Sequence, residues 1–448
     1  MKKVIIFPGL VPLEALEEFL ENEKVDLKRI IIKKKLLGFY KRHKMSELLL
    51  AKESLLTTSD KGDLHYQDYT AAYESVISDA RTFFIADRHF RKYGLNSSFN
   101  VSSMIESLVY NSLNILVKDR PEVVVFQATP HGAYTWVFAK VCEFLNIKVR
   151  FVGDSLVHWK VHPVEGIDEQ QVIKGGEAEF SFKKMEELIN KSKGEYLDAM
   201  PSYEKERYNK NKGKYLTLRN ELSLIFSKGF KHIPFQIIQS MIKFNTYRCY
   251  NKLVNNSFLG NGRKKIIVFM HYQPERTSIP EGGIYGQQLV IIRLLSMISK
   301  KYGFDVVVKE HPSMFRNHFD PDFRSRYDYK AISMMDNTYL TSLSMDSFSL
   351  IDISSLIVTI TGTVALEALM RGKPALMFCN REITGLDGVY NANADNVGSI
   401  MDRVFVDGID IDVEGVKKYL MELESMSFLR QNETNTSINA YKHAIYAN

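Results

Sequence analysis

The chain has 448 residues, 45% of them hydrophobic and 25% charged, which is a length for two or three domains and the composition of a globular protein with ample core. No stretch is long and apolar enough to span a bilayer, which excludes a helical integral membrane protein. The net charge of +6 is unevenly spread: 14 Lys/Arg against two Glu between Lys205 and Lys265 give a local net of +12, leaving the remainder at −6.

In chain order, MKKVIIFPGLVPLEALEEF reads as a strand (Val4 to Phe7), a turn and a helix near Leu13 to Glu21, because Pro8, Gly9 and Pro12 break the apolar run that a signal segment would need. A basic patch at Ile30 to Lys44 follows, then helices over Tyr69 to Phe84 and Val101 to Val117. Val123 to Phe126 reads as a buried strand, Tyr134 to Leu145 as a helix and Lys148 to Val152 as a strand, an alternation typical of α/β units. From 157 to 260 the periodicity weakens into inserted helices and the basic linker of about 205–260, whose apolar positions from Leu222 to Ile242 suit either an anionic membrane surface or a neighbouring domain. A hinge is expected at Asn255 to Gly262. Four short branched runs follow, Ile266 to Met270, Val306 to Val308, Leu356 to Ile360 and Ala375 to Phe378, and these read as buried parallel strands with helical crossovers. The stretch from Glu433 to Ala447 reads as a final helix. The expected domains are therefore 1–260, 261–425 and a C-terminal helix, 426–448, that packs back on the first. Cys142, Cys249 and Cys379 have no metal-ligand spacing and fit a reducing cytoplasm as small buried side chains.

The chemistry-bearing residues come directly after those strands, where parallel sheets bind ligands. In TGTVALEAL, Thr361, Gly362 and Thr363 stand at a strand-to-helix turn suited to a phosphate, and Glu367 is placed to accept from ribose hydroxyls. In KEHP, Pro312 biases His311 toward an extended conformation at a strand tip, and Lys309 adds positive charge. In HYQPERTSIPEGG, Gln273 and Glu275 precede a glycine-bearing flap. Each also fits a plainer role: a capped helix start, an ordinary His-Pro loop, a long surface loop. In the first half, His131 in FQATPHGAY and Asp154, His158 and His162 in GDSLVHWKVHP occupy comparable places, and His131 or Asp154 could take a proton from an acceptor hydroxyl. The aspartates of IDID, Asp410 and Asp412, suit a metal less well than a helix cap. No GxxxxGK[ST], HExxH or GxSxG motif is present, and no nucleic-acid docking module is recognisable.

HYQPE with its following PEGG, then KEHP, then TGT-x-ALEAL-x-x-GKP together resemble the bacterial capsular polysaccharide synthesis glycosyltransferases, which include Kdo transferases. The resemblance covers roughly 266 to 380 and more weakly 121 to 152. It implies a GT-B-like fold, two Rossmann-like domains with parallel sheets facing an interdomain cleft, with the nucleotide-sugar on the C-terminal domain and no metal. It implies that His311 and Thr361–Thr363 contact the phosphate, that Glu367 contacts ribose or base, and that Gln273 and Glu275 lie near the transferred sugar. An acidic residue frequent in the family before the glutamine at the helix start is absent, the run here being Gly286–Gln287–Gln288.

The resulting expectation is a cytoplasmic, peripherally membrane-associated glycosyltransferase of surface polysaccharide assembly. It takes a nucleotide-sugar, CMP-activated in preference to UDP-activated, and a glycan or glycolipid acceptor, with no cofactor. The alternatives are a UDP-sugar 2-epimerase and a non-catalytic scaffold.

Overall fold

The structure, a computed structural model, describes every residue except 9–24, 35–36, 38–47, 58–63, 92–97, 158, 169, 177–180, 194–205, 207–232, 274, 316–323, 385, 430–437 and 448. The expected helix at Leu13 to Glu21, His158 and most of the basic linker thus lie outside the described residues. Cα packing divides the chain into unit 1 (Met1–Phe180, Ile279–Glu281, Leu420–Asn448) and unit 2 (Ser181–Ser278, Gly282–Tyr419).

Unit 1 begins with strands β1 (Lys2–Phe7), β2 (Val25–Ile32) and β3 (Leu49–Ala51). Helices α1 (Tyr66–Ser78), α2 (Ala80–Arg91) and α3 (Ser98–Asp119) follow. Then come β4 (Val123–Phe126), α4 (Ala133–Phe144), β5 (Lys148–Asp154), β6 (Lys160–Glu165) and β7 (Gln171–Val172). Unit 2 takes up α5 (Phe182–Lys193), α6 (Ile233–Leu253), β8 (Lys264–Phe269), α7 (Leu289–Tyr302), β9 (Phe304–Lys309), α8 (Arg326–Ser333) and β10 (Thr338–Leu340). It continues through α9 (Ser347–Ile353), β11 (Leu356–Thr359), α10 (Val364–Met370), β12 (Ala375–Met377), β13 (Val389–Asn391), α11 (Val397–Asp402) and the first part of α12 (Val413–Ser425), within which the chain passes to unit 1 at Leu420. Unit 1 is completed by β14 (Phe428–Leu429) and α13 (Ile438–Tyr446).

The sheet of unit 2 has the order β10-β9-β8-β11-β12-β13, with every pair parallel. Numbered from its own first strand this is 3-2-1-4-5-6, the Rossmann order, with the reversal between β8 and β11. Alternating side chains build two cores. Ile266, Val268, Val306, Val308, Leu356 and Val358 pack with α7 and α8 on one face, while Ile267, Val307 and Ile357 pack with Phe348, Leu350, Ile351 and Ala368 on the other. A sheet covered on both faces has no polar side, which is why its strands read as continuous apolar runs. Each strand is brief because the crossover helix must return at once; α7, for example, stops at Gly303, whose φ of 69° is left-handed.

Unit 1 repeats the scheme in the order β14-β6-β5-β4-β1-β2-β3, with β1 to β5 parallel and the reversal between β1 and β4. Ile5, Phe7, Val124 and Phe126 face one core and Val4, Ile6, Val123 and Val125 the other. The fold class is therefore α/β with two Rossmann-like parallel-sheet units.

Four expectations change. The helix expected over Tyr69 to Phe84 is two helices, because Asp79 is extended and its carboxylate accepts the Arg81 N–H at 3.0 Å, starting a second helix. The basic patch begins inside a strand, β2, whose Ile30, Ile31 and Ile32 are buried beside β1. The segment after Lys148 to Val152 turns back as an antiparallel hairpin, so His162 is a buried strand residue opposite Gly153. The division falls at 180/181 instead of near 260, since α5 and α6 pack in unit 2: Arg371 Nη1 donates to Lys193 O at 3.1 Å, and Tyr250 donates to Thr341 O.

The final helix, α13, is fastened to β5. Buried Arg150 donates through Nη1 to Ala444 O at 2.8 Å and Ala447 O at 2.7 Å, and through Nε to Glu165 Oε2 at 2.6 Å, neutralising the carbonyl end of the helix. Arg150→Met is expected to lower the unfolding free energy by about 2–4 kcal/mol, read as a reduced urea midpoint; an unchanged midpoint would show that the helix holds without it.

Candidate functional site

In unit 2 the loops following β8 and β11 lie at the strand-order reversal, where a parallel sheet leaves room for a ligand. They meet at His271, the residue two places beyond β8. Its Nε2 is 2.9 Å from Thr359 Oγ1 and accepts the Thr361 N–H at 3.2 Å. Its Nδ1 is 3.4 Å from Thr277 Oγ1 and 3.8 Å from Glu275 Oε2. Gln288 clamps the His271 backbone from both sides, accepting its N–H at 2.7 Å and donating to its carbonyl at 3.1 Å.

The loop after β9 joins from below through buried charge. Glu310 accepts the His311 N–H at 2.7 Å and the Tyr329 hydroxyl at 2.8 Å, and pairs with Arg324 Nε at 3.2 Å. Arg324 Nη2 in turn donates to His271 O at 3.4 Å. Burial pushes the Glu310 carboxyl up, and Arg324, Tyr329 and the His311 amide pull it back. One ion pair thus ties the two loops together. His311 stands above it, partly buried, with Nδ1 accepting the Ser313 N–H at 3.1 Å; the neutral ring then carries its proton on Nε2.

The residues singled out from sequence divide into those that face outward and those that are consumed in holding the loops. Glu275 has a side chain 47% exposed. Burial works to raise its carboxyl, but His271, Thr277 and His311 outweigh that and hold it below the usual range. Thr363 is exposed, its hydroxyl makes no cap bond, and no acceptor among the described residues meets its amide or that of Val364. Glu367, partly buried, receives no hydrogen bond there either. Burial raises its carboxyl from the ordinary 4.5 to about 7, against Lys191 and Arg371.

Three expectations need correction. Lys309 is 3% exposed and donates to Ser342 O at 2.9 Å and Leu343 O at 2.6 Å, so its ammonium braces the neighbouring loop instead of facing a phosphate. Burial lowers it to about 7. Gln273, also 3% exposed, donates to Gly286 O at 2.7 Å and holds the flap closed on itself. The amides of Thr361 and Gly362, expected to be open to an anion, are already accepted by His271 Nε2 and, at 3.2 Å, by Thr359 Oγ1. Gly362 is needed there for space, since a Cβ would lie 2.7 Å from Thr359 Oγ1. His271 itself was missed by sequence reasoning. The available signal was its place at the head of HYQPE, directly after a strand.

In unit 1, the loop after β4 lies at that unit's own reversal. Thr129 donates to Glu281 Oε1 at 2.8 Å, and His131 Nδ1 is 2.8 Å from Thr129 O. A carbonyl can only accept, so Nδ1 carries the proton and the neutral His131 ring keeps its lone pair on Nε2. Asp154 is instead the last residue of β5, paired with Val161 in the hairpin and one strand away from the reversal. Asp412 caps α12 by accepting the Gly415 N–H at 2.9 Å. Among the described residues, no group of three or more His, Cys, Asp or Glu is arranged to hold a metal ion, and no helix is long and apolar enough to cross a membrane.

No protein-family model and no curated protein sequence matches the chain. Among solved structures it is similar to UDP-GlcNAc 2-epimerase from Methanocaldococcus jannaschii, at 13% identity over 94% of this chain and 99% of that one, TM-score 0.27. It is similar to KpsC, the beta Kdo 2,7 transferase from Thermosulfurimonas dismutans, at 12% identity over 75% of this chain and 95% of that one, TM-score 0.26. It is also similar to CalG4, the calicheamicin glycosyltransferase, at 10% identity over 99% of this chain and 96% of that one, TM-score 0.24. Superpositions this loose carry no argument about activity.

The raised Glu367 carboxyl gives a pH signature. A carboxyl that holds its proton more tightly when folded contributes stability below pH 4.5 that is lost as pH rises through about 7. Glu367→Gln removes that loss. Its melting temperature should match the wild type at acid pH and exceed it at pH 8; equal melting temperatures at pH 8 would refute the burial argument.

Proposed function

We propose that the protein is a metal-independent glycosyltransferase that takes a nucleotide-sugar donor, acting in the assembly of a surface polysaccharide. The reading is carried by one observation: the loops after β8, β9 and β11 converge on His271 at the strand-order reversal, with Glu275 and Thr363 exposed beside it and His311 and Glu367 partly buried. The Rossmann order supports a nucleotide at that crevice. Breaking a glycosyl–phosphate bond develops negative charge on the departing phosphate, and the Nε2–H of His311 with the amide and hydroxyl of Thr363 are donors of the kind that stabilise it. Glu367 is assigned to the ribose hydroxyls and Glu275 to the sugar. In unit 1, His131 is the residue we assign to deprotonating the acceptor hydroxyl, since Thr129 O fixes its proton on Nδ1. Asp154, held in the hairpin, is the weaker candidate for that role.

The donor class assigned first is a CMP-activated acidic sugar, on the motif resemblance, with UDP-sugars second. The acceptor is a glycan or glycolipid. We also assign the enzyme to the cytoplasmic face of an anionic membrane. Support comes from the +12 segment 205–265 and from α6, whose Ile237, Ile238, Met241 and Ile242 are 44%, 56%, 67% and 44% exposed.

Two measurements test these assignments. A melting-temperature screen across CMP, UDP, GDP and ADP should show stabilisation by CMP or UDP, and His311→Ala should weaken that nucleotide about tenfold with an unchanged melting temperature. No shift with any of the four would remove the donor site, while conversion of a UDP-sugar with no acceptor present would identify an epimerase. Vesicles containing about a third anionic lipid should bind the protein at low salt and release it at high salt; binding equal to that of neutral vesicles would discard the membrane assignment.

A further inference from the structure

Both nitrogens of the His271 ring are committed. The peptide N–H of Thr361 can only donate, so its 3.2 Å approach requires a lone pair on Nε2. The Thr359 hydroxyl at 2.9 Å then also donates to Nε2, while its oxygen accepts the Gly362 N–H at 3.2 Å. The neutral ring must carry its proton on Nδ1, on the side of Thr277 Oγ1 at 3.4 Å and the Glu275 carboxylate at 3.8 Å. Its backbone is held independently by Gln288 and Arg324. A ring only 9% exposed and engaged at both nitrogens is not placed to touch a ligand.

We infer that His271 is the positioning residue of the donor site, with two separable functions. Through Nε2 it sets the backbone of Thr361 and Gly362, which determines where Thr363 presents its amide and hydroxyl. Through Nδ1–H it meets the Thr277 hydroxyl at 3.4 Å and faces the Glu275 carboxylate at 3.8 Å, a polar approach longer than a hydrogen bond that favours the ionised carboxylate. This inference rests on the function proposed above only for what the site binds; the tautomer and the division of labour follow from the hydrogen bonds.

Amide substitutions separate the two functions. In His271→Asn the shorter amide reaches the place of Nδ1 and can still present an N–H toward Thr277 and Glu275, but nothing accepts the Thr361 N–H. In His271→Gln the longer side chain brings a carbonyl to the place of Nε2 and leaves no N–H facing Thr277 and Glu275. Calorimetric titration of the full chain with CMP and with UDP should show His271→Asn about tenfold weaker than wild type and His271→Gln within about threefold. The Glu275 carboxyl, followed by carbon-13 NMR, should titrate higher in His271→Gln than in His271→Asn. Nitrogen-15 NMR of the wild type should find the His271 proton on Nδ1. Thr359→Val, which removes the hydroxyl between the ring and Gly362, should reproduce the nucleotide loss and covers the case in which His271→Asn fails to fold. A proton on Nε2, or equal nucleotide affinities in the Asn and Gln variants, overturns the inference. If the wild type binds neither nucleotide, the proposed function falls, and the tautomer and the Glu275 titration still decide the role of His271.

Discussion

Where the strand order of a parallel sheet reverses, two neighbouring strands end side by side and their chains depart in opposite directions. The backbone groups just past those ends lose the ladder and still need partners. Between β8 and β11 an imidazole supplies the partner: His271 accepts the Thr361 N–H, and Thr359 accepts that of Gly362. Everything assigned to the site depends on this local solution. The same solution decides which groups remain to meet a ligand, because an amide already paired inside the protein is not offered to an anion.

Charge buried beneath the site serves the same end. Glu310 and Arg324 are almost wholly enclosed, and removing either would strand the other in low dielectric. Three further hydrogen bonds accompany the pair: the His311 N–H and the Tyr329 hydroxyl donate to Glu310, and Arg324 donates to the carbonyl of His271. Lys309 is a comparable case: its ammonium is held by two carbonyls of the loop after β10. The KEHP motif therefore has two inward residues that shape the loops and one histidine above them. Unit 1 handles its own reversal more simply: His131 Nδ1 meets Thr129 O within the loop after β4, and the Thr129 hydroxyl donates to Glu281.

Much of this architecture was legible in the sequence. The short branched runs at 266, 306, 356 and 375 became β8, β9, β11 and β12, since strands buried on both faces leave a continuous apolar trace. The hairpin after β5 was not legible. A parallel alternation and an antiparallel return begin with the same apolar strand, and only the pairing of Asp154 with Val161 distinguishes them. The split of the first long helix at Asp79 was likewise hidden, because one extended residue does not disturb the spacing of apolar positions.

By itself the sequence determined that two sets of α/β units exist and that polar motifs follow the strands of the second, since hydrophobic periodicity and turn residues act over a few neighbours. It could not determine which polar residues in those motifs face outward. Lys309 and Gln273 look like ligand contacts in one dimension and are buried braces in three, while His271 passed unremarked and stands at the hub. That distinction belongs to the tertiary structure, because the partners that bury Gln273 and fix His271 Nε2 lie 13 and 90 positions away and become neighbours only when the strand order brings their loops to one end of the sheet.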